Sequence, residues 1–231
     1  MKKYIELKNG SRWPLNSAYN GDCLDFMREL PDKCIDLVLT DPNYGIGEDG
    51  KKNHSRSRLA KATRYDDKDW DKKPVSKDIL DEIFRISKHQ IIFGANHFIS
   101  KMPYDSSSWI VWDKDNSGDF ADCELAWTSH KRAVRKFKHR WNGMLQENMK
   151  NKEQRIHPTQ KPLKLFKWCL EKYAPENAIV FDPFLGSFTT AVACHHHGLN
   201  WIGCEKDPDY FKAGMNRYEN ETKQQFFDFG A

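Results

Sequence analysis

An apolar run at residues 35–39, Ile-Asp-Leu-Val-Leu, leads directly into Thr40 and the sequence Asp-Pro-Asn-Tyr at 41–44. The run has the composition of a buried strand, so residues 41–44 are expected at the carboxyl end of that strand. In open α/β sheets this edge is where ligands bind. Pro42 fixes its own backbone angle and lacks an N–H, so the strand must stop there and neighbouring carbonyls stay available to a ligand.

Residues 41–44 suit one kind of ligand, a planar base that carries an exocyclic amino group. The carboxylate of Asp41 and a neighbouring carbonyl can accept both amino hydrogens, while the ring of Tyr44 stacks on the base. Asp, Pro, Asn and Gly are also the usual residues of turns. On these residues alone, an Asp-Pro turn with Tyr44 as an ordinary core residue remains an open alternative.

The length of 231 residues suits one large α/β domain, and we expect a single domain over residues 1–231. Eight Trp, eight Tyr and fourteen Phe exclude a disordered chain. No apolar run approaches the ~20 residues of a membrane span, and no apolar signal region follows Met1. Six scattered cysteines without a Cys-x-x-Cys pair predict free thiols in a reducing compartment. We therefore expect a soluble intracellular protein that does not bind membranes.

Predicted strands and helices alternate along most of the chain. A strand end and turn at 19–23 precede a short helix at 24–30, which leads to the strand at 35–39. This order is a βαβ unit and predicts parallel pairing of the two strands. Apolar patterns predict four further elements, namely a helix at 77–87 and strands at 90–94, 108–112 and 123–128. The alternation predicts an α/β fold.

Two polar segments interrupt this pattern. Residues from about 46 to 73 are polar throughout, and a long loop of this kind is usually functional or disordered, so we expect a flexible loop there. From about 129 to 156, nine Lys and Arg face two Glu, with Phe137 and Trp141 interleaved. Such a mixture is typical of a nucleic-acid surface, and a merely solvated charged face is the alternative. The predicted DNA-contacting residues are Lys131, Arg132, Arg135, Lys136, Lys138 and Arg140.

The last third of the chain has the pattern of an adenosine-binding half. A strand at 178–181, a small-residue turn at 182–187 and a helix at 189–197 precede a strand that ends at Glu205. A glycine in the turn permits close approach of a ligand, and Glu205 can accept hydrogen bonds from ribose hydroxyls. The turn lacks a full Gly-x-Gly-x-x-Gly, which favours a mononucleoside over a dinucleotide. The three histidines at 195–197 point in different directions along a helix, so no metal site is predicted.

Three segments together resemble the S-adenosylmethionine-dependent DNA amino-methyltransferases that act on adenine N6 or cytosine N4. The matching sequences are Asp-Pro-Asn-Tyr at 41–44, His-Pro-Thr-Gln-Lys-Pro at 157–162 and Asp-Pro-Phe-Leu-Gly-Ser-Phe-Thr-Thr at 182–190. Their order is that of the circularly permuted members, in which the catalytic motif precedes the cofactor loop. The resemblance implies a Rossmann-like methyltransferase fold, with a mostly parallel seven-stranded sheet and one antiparallel edge strand. It also implies S-adenosyl-L-methionine as the cofactor and double-stranded DNA as the substrate.

The resemblance further implies roles for individual residues. Asp41 and the carbonyl of Pro42 would hold the amino hydrogens of a flipped-out base, and Tyr44 would stack on it. Asn43 completes the catalytic motif, and residues 129–156 would form a small target-recognition region. Ten residues would surround the cofactor: Asp182, Phe184, Gly186, Ser187 and Thr189 at its methionine part, Thr159 and Lys161 near its carboxylate, Glu205 at the ribose, and Asp22 and Cys23 beside the adenine.

The target base and the partners also follow from the resemblance. An Asp at position 41 favours adenine N6, and cytosine N4 is the alternative. Asn43 stands where the family usually has a second proline, and Phe188 stands where a glycine usually follows Gly-Ser. A DNA-binding protein of this fold with little catalysis therefore stays open, and an RNA or protein methyltransferase is disfavoured by the basic segment. Further expectations are a homodimer, a cognate restriction endonuclease, and the cytoplasm of a bacterium or of a phage-infected cell.

Overall fold

The computed structural model describes residues 2–47, 72–115, 121–142 and 145–223. Within these ranges the chain forms an α/β fold around a large sheet. The helices are α1 (Cys23–Glu29), α2 (Lys77–Ile86), α3 (Leu163–Tyr173), α4 (Thr189–His196) and α5 (Pro208–Lys223). The strands are β1 (Tyr4–Glu6), β2 (Arg12–Pro14), β3 (Ser17–Asn20), β4 (Ile35–Thr40), β5 (Ser87–Phe93), β6 (Trp109–Asp113), β7 (Cys123–Thr128), β8 (Arg135–Lys138), β9 (Trp141–Asn142), β10 (Leu145–Gln146), β11 (Ile179–Asp182) and β12 (Asn200–Glu205).

The large sheet has the strand order β3-β12-β11-β4-β5-β7-β6-β8. Strands β3, β12, β11, β4 and β5 pair in parallel, β7 is antiparallel to both of its neighbours, and β8 is parallel to β6. The pairs β1–β2 and β9–β10 form two small antiparallel ladders outside the large sheet. This mostly parallel sheet, flanked by helices, confirms the predicted Rossmann-like fold.

The sheet differs from the expectation in two details. It has eight strands in the described residues, and its antiparallel strand β7 lies inside the sheet instead of at an edge. The extra edge strand is β8, which comes from the basic segment expected to recognise the target. Its half-buried Phe137 packs 5.3 Å from Trp168 between ring centroids, while the charged side chains beside it stay exposed. Exposed charges on an edge strand also discourage pairing with another chain.

Apolar side chains of the buried strands form a core on each face of the sheet. Leu37 and Leu39 of β4 pack with α3 and α4 on one face, where α5 also contributes. Val38 of the same strand packs with α1 and α2 on the other face. Side chains along a strand point to opposite faces, so a strand covered on both sides must be apolar throughout. The run at 35–39 therefore predicted its own position in the middle of the sheet.

Most of the expected flexible loop, residues 48–71, lies outside the described residues. All six cysteines lie within them and are free thiols, with Cys123 exposed. In the described parts of the chain, none of the helices combines the length and apolar character needed to cross a bilayer.

Candidate active site

The carboxyl ends of β4, β11 and β12 meet at one edge of the sheet, because these strands are parallel neighbours. Residues 41–44 follow β4, Asp182 ends β11 and Glu205 ends β12. A direct hydrogen bond joins two of these ends, since the Thr40 hydroxyl donates to Asp182 Oδ1 at 2.7 Å. The structure therefore brings the predicted catalytic segment and the predicted cofactor segment side by side.

Asp41 lies in a network of buried charges. Its Oδ1 accepts a hydrogen bond from the Tyr44 hydroxyl at 2.5 Å, and its Oδ2 lies 2.8 Å from Lys161 Nζ. The same ammonium lies 3.0 Å from Glu124 Oε2, and Glu124 is also paired with Lys114. Lys161 is only 7% exposed. The ammonium that was expected near the cofactor carboxylate therefore contacts the predicted catalytic carboxylate.

The surroundings shift the pKa values of the two carboxylates in opposite directions. Although burial opposes ionisation of Glu124, the ammonium groups of Lys161 and Lys114 outweigh it and lower the pKa of Glu124 to about 2. Among the described residues, Asp41 has one ammonium neighbour, Lys161, which it shares with Glu124. The effect of burial therefore outweighs that of Lys161 and raises the pKa of Asp41 above the usual value for aspartate. Burial and the neighbouring Asp41 also raise the pKa of the Tyr44 hydroxyl well above its usual value. Asp41 is thus a carboxylate with enhanced affinity for a proton.

Glu124 and Lys114 were missed by the sequence analysis. Glu124 lies in β7, and Lys114 directly follows the neighbouring strand β6. The available signal was a carboxylate within the otherwise apolar run at 123–128. A charge in a buried strand needs a partner, but nothing in the sequence identified Lys161, which is 37 positions away in the numbering.

One further segment, residues 74–75, contacts the residues at 41–44 and the glycine that follows them. The backbone N–H of Val75 donates to the Asn43 carbonyl at 3.1 Å, and Gly45 approaches Pro74 so closely that a Cβ would lie 2.4 Å from its Cδ. Among the described residues, no backbone N–H donates to the carbonyl of Pro42. The predicted role of the Pro42 carbonyl as an acceptor for a ligand stays a prediction.

The predicted cofactor loop is organised around two carboxylates. Asp182 accepts hydrogen bonds from the hydroxyls of Thr40 and Thr190 and from the Phe184 N–H, and burial raises its pKa to about 6. Glu205 Oε2 accepts the Gly186 N–H and its Oε1 accepts the Asp207 N–H, both at 2.8 Å. Each Glu205 oxygen has a second lone pair, so it can still accept a hydroxyl donor.

Gly186 itself has a left-handed backbone (φ 49°), and the atoms nearest to a Cβ added there would be those of the His157 ring, at an ordinary contact distance of 3.7 Å. A ligand can therefore approach the backbone at this turn.

Asp22 caps the start of α1 and pairs with Lys206 at 2.9 Å, and this ammonium lowers the pKa of Asp22. Cys23 beside it is buried, which raises its pKa to about 12. The edge residues expected around an adenosine thus line one continuous part of the sheet edge.

The predicted loop also depends on Arg217, which the sequence analysis did not identify. Its Nη1 donates to the Ser187 carbonyl and to the Thr189 hydroxyl, both at 3.0 Å. The Thr189 hydroxyl in turn donates to the carbonyl of Lys161 at 3.3 Å. In the segment before α3, the hydroxyl of Thr159, another predicted cofactor residue, lies 3.1 Å from His157 Nδ1. Arg217 is 8% exposed and pairs with Glu221 along α5. A buried arginine therefore joins α5 to the turn before α4.

Phe188 belongs to the core and not to the ligand edge. Its backbone is left-handed (φ 61°), and its side chain is fully buried. The ring packs edge-on against Trp201 and Phe211 at 6.1 and 5.9 Å between centroids. Gly214 makes room for it, since a Cβ there would lie 2.1 Å from Phe188 Cδ2. The bulk of Phe188 is thus accommodated by a glycine of α5.

We expect Phe188→Gly to lower the free energy of unfolding by about 3 kcal/mol, because the lost packing exceeds the relief of the left-handed backbone. Urea unfolding followed by circular dichroism measures this loss. Gly214→Ala is the matched variant: alone it clashes with Phe188 and destabilises, whereas in the Phe188→Gly background it fills space and stabilises. The same effect of Gly214→Ala in both backgrounds would contradict the packing described here.

The six predicted DNA-contacting cations are all exposed, but they do not lie together. Strand β8 runs in the same direction as β4, so Lys138 and Arg140 lie toward the site edge, four strand positions or about 19 Å from β4. Both pair with Asp115, at 2.7 and 2.6 Å. Arg132 precedes β8 and donates to the Lys172 carbonyl at the end of α3. Lys131 is the neighbour of Arg132 in the segment before β8. Arg135 and Lys136 lie within β8, between these two ends.

A family model described as a DNA methylase, N6/N4 type, matches residues 82–216, which is more than half of the chain. Among similar proteins, the Type II methyltransferase M2.MboI of Moraxella bovis is 25% identical, with 90% of this chain and 92% of the relative covered.

Solved structures show the same fold. The M1.HpyAVI–SAM complex is 23% identical with a TM-score of 0.53, covering 87% of this chain and 98% of that one. The cytosine-N4-specific PvuII DNA methyltransferase is 14% identical with a TM-score of 0.57, covering 90% and 93%.

Proposed function

The chain belongs to the N6/N4 family of DNA methylases, which take their methyl group from S-adenosylmethionine, and we propose that it methylates the exocyclic N6 of adenine in double-stranded DNA. The observation that carries the proposal is the position of Asp41, a largely buried carboxylate with raised pKa, next to the carbonyl of Pro42, to which no backbone N–H of the described residues donates. These two acceptors match the two hydrogens of an amino group. The choice of adenine rests on the resemblance at position 41.

The reaction requires an amine whose lone pair is free to attack. Asp41 and the Pro42 carbonyl accept the amino hydrogens of a flipped-out base, which draws the nitrogen lone pair away from the ring. Lys161 holds the Asp41 carboxylate at 2.8 Å, so orientation is fixed before the substrate binds. Because burial raises the pKa of Asp41, this carboxylate is also suited to take the proton that the nitrogen loses.

The methyl donor supplies a positively charged sulfonium whose methyl group is transferred to the base nitrogen. The residues at the ends of β11 and β12 fit its binding, since Glu205 retains two free lone pairs and Gly186 leaves its backbone open to a ligand. We assign the ribose to Glu205 and the methionine part to the loop at 182–189, which Arg217 supports. In this assignment Lys161 orients the carboxylate of Asp41 and does not bind the cofactor, because its ammonium lies 2.8 Å from Asp41 and 3.0 Å from Glu124.

The cations nearest the site edge are the best candidates for DNA contacts. Lys138 and Arg140 lie toward that edge, and phosphates would compete with Asp115 for them. Arg132 precedes β8 and therefore lies toward the opposite edge of the sheet, where it donates a hydrogen bond to the end of α3. A cognate restriction endonuclease is a further part of the proposal, supported by the likeness to a Type II methyltransferase.

The test is to incubate the purified protein with unmethylated genomic DNA and methyl-labelled S-adenosylmethionine, digest the DNA to nucleosides, and identify the labelled product by mass spectrometry. We expect labelled N6-methyladenine. Labelled N4-methylcytosine would keep the assigned roles of Asp41 and Pro42 and overturn the choice of adenine. An absence of product, with cofactor binding shown by calorimetry, would leave a DNA-binding protein of this fold. Heat-treated protein and DNA that is already methylated are the controls.

A further inference from the structure

The face of the Tyr44 ring is already occupied by another ring. The imidazole of His97 stacks on it, with 5.0 Å between centroids and 15° between planes. This is the geometry in which a base stacks on an aromatic side chain. His97 is exposed to solvent, whereas Tyr44 is half-buried. A base that reaches Tyr44 from solvent therefore meets His97 first.

The backbone that carries His97 is fixed against Tyr44. It forms a short 3-10 turn, Ala95–His97, directly after β5. Gly94 begins the turn in the left-handed region (φ 67°), and a Cβ there would lie 1.9 Å from Tyr44 Cε1. The turn is anchored by the Gly94 N–H, which donates to the Leu125 carbonyl at 2.8 Å, and by the buried side chain of Phe98. The exposed His97 side chain can therefore rotate while the backbone of the turn stays in place.

Lys161, a second close neighbour of the Tyr44 ring among the described residues, cannot move in the same way. Lys161 Nζ lies 5.3 Å from the ring centroid, but it is buried and held by Asp41 and Glu124 at 2.8 and 3.0 Å. Displacing it would leave the largely buried carboxylate of Asp41 without an ammonium partner and Glu124 with Lys114 alone. Among the described residues, the exposed His97 side chain stacks on Tyr44 but makes no hydrogen bond or ion pair that its rotation would break. The base therefore enters on the side of His97.

We propose that His97 holds the place of the target base on Tyr44 and, when the base enters, rotates to stack on the outer face of that base. The inference rests on the proposed function and adds a positioning residue to it. A planar aromatic side chain at position 97 is required, while its charge and hydrogen bonds are not. The base is then held between the rings of Tyr44 and His97.

Steady-state kinetics on a duplex that carries the mapped methylation site test this role. We expect His97→Ala to lower kcat/KM for DNA about tenfold, the size of one lost base–aromatic contact. His97→Phe should restore the value to within about threefold, and His97→Gln, similar in size but not aromatic, should not. Cofactor affinity measured by calorimetry should be unchanged in all three variants. An equal loss in the Phe and Gln variants would overturn the proposal.

The second readout does not need turnover. In NMR spectra of histidine-labelled protein, the His97 ring signals are identified by their absence in His97→Ala, and a short single-stranded oligodeoxyadenylate is added. Displacement predicts that the His97 signals shift as the Tyr44 ring current is lost, with the other histidines as internal controls. Shifted signals without any methylated product would refute the proposed function and support the role of His97. Product formation with unshifted His97 signals would refute the role of His97 alone.

Discussion

Replacing Asp41 by alanine is expected to lower methyl transfer by about a hundredfold to a thousandfold, while cofactor affinity stays within a few-fold. In the proposed mechanism this carboxylate accepts the amino group and is positioned before the substrate binds, and loss of one such group typically costs about 10²–10³ in kcat. Lys161 keeps Glu124 as a partner at 3.0 Å, so the network is weakened and not abolished. Single-turnover transfer rates and calorimetry of cofactor binding measure the two effects separately.

Asp41→Asn is the matched control for this variant. The amide keeps the size of the side chain and one accepting oxygen, but it cannot take up a proton. We therefore expect a large loss of rate with a thermal stability close to that of the parent protein. If either variant retains normal turnover, Asp41 does not hold the amine, and the assignment of residues 41–44 fails.

Replacing Lys161 by methionine is expected to lower the free energy of unfolding by about 3–5 kcal/mol, because two buried carboxylates lose their shared ammonium. The activity profile should change as well. Asp41 must be ionised, so transfer is present above its pKa and lost as the pH falls through it. Burial already raises this pKa and Lys161 opposes the rise, so its removal moves the acid limb of kcat/KM to higher pH.

Two comparisons make the Lys161 experiment specific. Lys206→Met removes the same charge from an ion pair whose lysine side chain is 77% exposed, and we expect a loss of about 1 kcal/mol or less. In the double variant Lys161→Met with Asp41→Asn, the second change removes the carboxylate that had lost its ammonium and should recover part of the stability. Urea unfolding of the series and pH–rate profiles give both readouts. An unfolding energy within about 1 kcal/mol of the parent for Lys161→Met would contradict a buried network.

The sequence determined the fold class and the position of residues 41–44 at the carboxyl end of a buried strand. Local patterns carry this information, because a strand buried on both faces must be apolar and a proline after it must end it. Residues 35–44 are therefore readable without a structure, as are α3 at Leu163–Tyr173 and the loop before α4. The family resemblance added the chemistry of the motifs, which periodicity alone does not contain.

Only the tertiary structure decided which side chains meet. Glu124 and Lys161 reach Asp41 from β7 and from the segment before α3, and His97 reaches Tyr44 from the turn after β5. Such contacts depend on strand order, which no local pattern specifies. The strand order also placed β7 inside the sheet and made an edge strand of the basic segment at 135–138. Charge pairing and stacking are interactions in space, so their partners became visible only when the chain was folded.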